Sequence, residues 1–80
     1  MAKQKIVIKM DGSEEKFDPN KIVLACMNAG APEDIAKKIA SKVARSFKDK
    51  IHALEIRNIV LKELRKYNPQ WADNWEFWDR

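Results

Sequence analysis

The chain reads as a mainly helical α+β domain, with one N-terminal β-hairpin packed on a bundle of about four short helices. Three observations carry that reading. Residues 6–17, IVIKMDGSEEKF, form two short strand-like runs around Asp11-Gly12. Asp-Gly between such runs is a strong hairpin signal, because glycine accepts the positive φ of a tight turn. Beyond Asp18 the apolar residues recur at helical spacing, and Asp18-Pro19, Gly30, Pro32 and Asn68-Pro69 punctuate that region into segments.

A two-residue turn at 11 and 12 makes residue 10 face 13, 8 face 15 and 6 face 17. Ile6, Ile8, Met10 and Phe17 then share a packing face. The opposite, wet face carries Val7 with two opposite-charge pairs, Lys9 with Glu14 and Lys5 with Asp18. A lone hairpin is only marginally stable, so its apolar side must sit on the helix that follows.

Asp18 caps that first helix and Pro19 suits its first position. Ile22, Cys26 and Ala29 recur along it, and Gly30 is a natural stop. Its N-terminus exposes unpaired N–H groups with Lys21 in the first turn, an end suited to an anion. Pro32 opens the second helix, where Glu33 and Asp34 suit the dipole. Ile35, Ile39, Val43 and Phe47, with Ala36, Ala40 and Ala44 beside them, make its apolar stripe. Lys38, Lys42 and Arg45 fall opposite. A solvated face is the favoured reading of them, and a phosphate-backbone stripe is the alternative.

Asp49 to His52 reads as a short connection. Ile56, Ile59, Val60, Leu64 and Tyr67 mark a third helix, with Leu54 and Leu61 beside the stripe and Arg65 and Lys66 in the last turn. Asn68-Pro69 stops it and opens a fourth. There Trp71, Trp75 and Trp78 lie on one face, suited to docking this helix on a small core. Left partly exposed, the same face would serve self-association or a partner protein.

Eighty residues, 1–80, make a single small domain with a net charge of +4. Residues 68–80 hold three carboxylates against one arginine, so the basic excess lies in 1–67 and suits a polyanionic partner. The single cysteine, Cys26, permits no intramolecular disulfide and reads as an inert core thiol. No apolar run approaches the ~18 residues of a membrane span, and no signal peptide is present. A cytoplasmic setting is expected.

No catalytic constellation stands out. His52 has no Cys or Ser partner at a recognisable spacing, and metal ligands are absent as a set. Glu14 and Glu15 are adjacent on a strand and so face opposite ways. A Walker-type glycine-rich loop is also missing. The expectation is a binding domain, not an enzyme.

Val7-Ile8-Lys9-Met10-Asp11-Gly12, then Glu15, then Lys21-Ile22, resembles the opening motif of the ATP-cone family. These are regulatory nucleotide-binding domains at the N-terminus of ribonucleotide reductases and in the transcriptional repressor of reductase genes. Ala29-Gly30-Ala31, Ile56 and the run from Asn68-Pro69 through Ala72 to Trp78-Asp79-Arg80 are similar to its later, less specific landmarks. The resemblance implies ATP or dATP as ligand, with Mg2+ accompanying it. It implies nucleotide contacts at Val7, Lys9, Glu15 and Lys21, with the hairpin as a lid over the base and the lysines on the triphosphate. It also implies oligomer contacts near the end of the domain.

Two positions depart from the family pattern. Met10 stands where the family has a basic residue, removing a bidentate phosphate grip. His52-Ala53-Leu54 stands where the family often has a hydroxyl-bearing turn. Arg57, one turn on, is our own addition to the site as a replacement for the lost charge. Two functions follow. The first is non-catalytic binding of adenine nucleotide to control a partner or self-association. The second is a cone-like scaffold without nucleotide, acting as a protein or nucleic-acid interaction module.

Overall fold

The structure, a computed structural model, describes residues 4–75. In chain order they form β1 (Ile6–Ile8), β2 (Glu14–Lys16), α1 (Pro19–Ala29), α2 (Glu33–Arg45), β3 (Lys50–His52), α3 (Ala53–Tyr67) and α4 (Pro69–Asn74). The strands make one sheet in the order β2-β1-β3, with β1 antiparallel to β2 and parallel to β3. Helix α1 packs on α2 and α4, and α3 packs on α2 and α4. The expected α+β fold, a hairpin on four helices, is present.

The hairpin register differs from the expected one by a single residue. Ile6 pairs with Lys16, Val7 with Glu15 and Ile8 with Glu14. The cause is a loop of three residues instead of two. The Lys9 carbonyl accepts from the Gly12 N–H at 2.9 Å, and the Lys9 N–H donates to the Ser13 carbonyl at 2.7 Å. Gly12 takes φ +89°, the left-handed position that ends such a loop. Asp11 Oδ1 accepts from the Ser13 N–H at 2.9 Å and from its hydroxyl at 2.6 Å. The hydroxyl bond is the main reason the Asp11 carboxyl titrates below its ordinary range.

A slip of one residue exchanges the two faces of a strand. Val7, expected on the wet face, is 1% exposed and belongs to the core. Ile6 and Ile8 lie half-buried on the outer face, and Met10 is 73% exposed at the tip. The expected ion pairs change with the register. Glu14 reaches Lys50 at 3.2 Å. The Lys5 amine donates to the Ala44 carbonyl and stands 4.9 Å above the centre of the Phe47 ring. Phe17 does pack as expected, edge-on against Phe47 at 5.1 Å.

The segment read as a plain connection contains β3, whose buried Ile51 lies beside Val7. Ile22, Ala25, Cys26 and Ala29 of α1, Ala36, Ile39, Ala40 and Val43 of α2, and Ile56, Val60 and Leu64 of α3 complete the core. Asp18 and Asn68 cap α1 and α4 through side-chain bonds to Asn20 and Gln70 N–H at 2.9 and 3.0 Å. Burial pushes the Cys26 thiol up to about 11, so it stays protonated and unreactive near neutral pH.

Helix α4 docks where α1 ends. The Ala31 N–H bonds the Cys26 carbonyl and the Gly30 N–H bonds the Met27 carbonyl, both at 3.0 Å. The ring of Trp71 covers Gly30, and the Asn74 amide donates to the Ala29 carbonyl at 3.0 Å. Trp71 is half-buried and Trp75 buried, so both serve the docking of α4. Trp75 is therefore not an exposed contact for a partner, and Trp78 lies outside the described residues.

Gly30 has φ +120°, and a Cβ there would stand 2.8 Å from Cδ1 of Trp71. Gly30→Ala is expected to destabilise the fold by more than about 1 kcal/mol, from backbone strain and displacement of the indole. Urea unfolding followed by tryptophan fluorescence checks this, and an unchanged midpoint would contradict it.

Candidate functional site

Parallel pairing places Ile8 beside His52, so α3 begins next to the hairpin tip. Between them lies a cleft of about 350 Å³. Ile8, Lys9 and Met10 line it from the hairpin, and residues 52–55 line it from the start of α3. His52 is the N-cap of α3 but makes no side-chain capping bond. A helix start of this kind presents N–H donors and a partial positive charge.

A second cluster joins the hairpin to α1. Val7 and Glu15 are cross-strand partners on the side facing the helices. Glu15 is half-buried, and its Oε2 lies 3.7 Å from Nζ of Lys21 in the first turn of α1. An ion pair this open contributes little to stability. Its effect is positional, tying the second strand to the helix start. Arg57 is half-buried on α3, four residues after Ala53 and on the same side of the helix.

The sequence-derived site residues thus fall into linked groups. Val7, Glu15 and Lys21 come together. Lys9, two residues beyond Val7 and just past the end of β1, faces the start of α3 across the cleft. Arg57 is on α3 but not in the cleft lining. His52 and Glu55 line the cleft and were missed as site residues. Only the pairing of β3 with β1 brings them there, and no spacing in the sequence signals it. Among the described residues no group of three or more His, Cys, Asp or Glu could hold a metal ion. None of the described helices is long and apolar enough to cross a membrane.

The pattern of the ATP cone domain matches residues 5–75, nearly the whole chain. The chain belongs to the ATP cone domain family. Members are regulatory, non-catalytic domains that generally bind ATP or dATP. A curated relative from Archaeoglobus fulgidus, described as an uncharacterized protein, is 44% identical over 41 residues, covering 51% of this chain and 87% of that protein. Its description names no activity.

The basic side of α2 in this ATP cone is partly used for folding. Lys42 donates to Glu63 Oε2 at 2.9 Å, and Lys66 approaches the same oxygen at 3.2 Å. Glu63 is only 8% exposed. Lys42 therefore bridges α2 to α3 while remaining exposed itself, as Lys38 and Arg45 are. The bond from Lys42 holds the Glu63 carboxyl below its ordinary value of 4.5, against the opposing effect of burial.

A carboxylate depressed on folding stabilises above its unfolded value and loses that contribution as pH falls through its folded value. Glu63→Gln is expected to cost about 1–2 kcal/mol at neutral pH and less in acid, where the wild-type carboxyl is protonated too. Urea midpoints of both proteins at about pH 7 and about pH 3 check this. Equal gaps at the two pH values would contradict it.

Proposed function

We propose that this ATP cone is a non-catalytic regulatory domain that binds an adenine nucleotide, ATP or dATP, and thereby controls a partner protein or its own self-association. The observation that carries the reading is the cleft between Lys9 and the start of α3. Its size of about 350 Å³ falls within the roughly 300–1,000 Å³ of small-molecule sites. Lys9 and the N–H groups of α3 supply cation and donors for a phosphate. Lys21 is a second cation, and Glu15 an acceptor for a polar group of the ribose or base. Val7, the cross-strand partner of Glu15, is buried beneath the hairpin and holds that strand in place, and Arg57 adds positive charge further along α3. Mg2+ would arrive with the nucleotide.

Regulation requires that the ligand prefer one state of the protein. The Glu15–Lys21 pair offers such a preference, because a phosphate that draws Lys21 away loosens the tie between hairpin and α1. A cytoplasmic setting fits the buried, unpaired thiol of Cys26.

A second reading, an interaction scaffold without nucleotide, draws on Met10 and Leu54. Both are large, apolar and exposed beside the cleft.

Calorimetric titration of the full chain with ATP and dATP tests the first reading. Saturable binding with a dissociation constant on the order of micromolar is expected, weakened about tenfold by Lys9→Ala and less by Lys21→Ala, whose amine is shared with Glu15. No heat with either nucleotide, together with salt-sensitive binding to DNA or RNA, would favour the scaffold instead.

A further inference from the structure

We propose that the cleft recognises the adenosine part of its ligand and not the length of the phosphate chain, so that it takes low-charge adenine nucleotides, AMP as well as ATP. The inference rests on the nucleotide-binding reading above and sharpens it. It begins with charge. Among the described residues Lys9 is the one lysine or arginine in the lining, and Glu55 lines the same cleft. Their formal charges offset each other. Of the other lining residues, Ile8, Met10, Ala53 and Leu54 are apolar.

The remaining positive element is the start of α3, worth about half an elementary charge. Neighbouring cations add little. Lys21 already faces Glu15 at 3.7 Å, and Arg57 is not among the lining residues. One phosphate can be met by Lys9 and the helix start together. A further phosphate meets the carboxylate of Glu55, which repels it, and the thioether of Met10, which donates no hydrogen bond. The added charge stays in water and contributes little affinity, since burying it unpaired is unfavourable.

The apolar residues favour the other end of the ligand. Met10 is 73% exposed and Leu54 47%. Together with Ile8 they give a flat purine an aliphatic surface to cover. A cone built this way responds to the amount of adenine nucleotide, not to its phosphorylation state.

The test is calorimetric titration of the full chain with AMP, ADP and ATP in one buffer. The expected dissociation constants lie within about threefold of one another or favour AMP. ATP binding more than about threefold tighter than AMP would overturn the inference and leave the nucleotide-binding reading standing. Binding by none of the three would overturn both. Met10→Arg supplies a second arm, at an exposed position where the fold tolerates a long side chain. It adds a guanidinium beside the cleft and should shift the preference toward ATP about tenfold. An unchanged ratio, with binding retained, would contradict the claim that missing cationic charge sets the selectivity.

Discussion

The burial of Val7 is the constraint from which the rest of this ATP cone follows. It sits at the centre of the central strand, with Glu15 on one side and Ile51 on the other, and the helices against it. A three-residue loop ending at Gly12 sets that arrangement, because a left-handed residue is needed there and glycine takes it without strain. With Val7 inward, Glu15 also faces the helices and meets Lys21. Ile51 completes the sheet from the far side and delivers the start of α3 to the hairpin tip. The cleft is therefore a consequence of the register, not an independent feature.

Much of the helical part was legible in the sequence because its signals are local. Asp18-Pro19 and Asn68-Pro69 open helices as their side-chain caps predict. Gly30 closes α1, and the stripes of α2 and α3 face the core, except that Tyr67 at the end of α3 is exposed. The sheet was less legible. Asp11-Gly12 announces a turn but serves a two-residue or a three-residue loop equally well, and the choice inverts every strand position. Choosing two placed Val7 on the wrong face. Strand β3 was invisible for another reason: Lys50-Ile51-His52 holds one apolar residue, too few for any period to show. Its partner lies more than forty residues earlier in the chain. At the candidate site, Lys9 and Lys21 were reached through their motif, whereas Glu55 and His52 become neighbours of Lys9 only through β3.

Positive charge in this domain is divided between folding and binding. Lys42 and Lys66 hold a buried carboxylate at the α2–α3 contact, and Lys5 is tied to Ala44 and Phe47. Drawing Lys42 or Lys66 to a ligand would take a partner from the buried Glu63 carboxylate. Lys21 is in an intermediate position, paired but half-exposed, so its bond to Glu15 can exchange at small cost. A domain meant to respond to a ligand needs such weak links beside its strong ones. The apolar core carries the stability, and the hairpin-to-α1 tie is left for the ligand to alter.

The most direct measurement of the central claim compares Val7→Ala with Ile8→Ala by urea unfolding. The two sites are adjacent on one strand and share its backbone demands. With Val7 in the core and Ile8 half-buried on the outer face, Val7→Ala should cost about 2 kcal/mol and Ile8→Ala less, although isoleucine is the larger side chain. A greater loss from Ile8→Ala would contradict the register and, with it, the cleft at the start of α3.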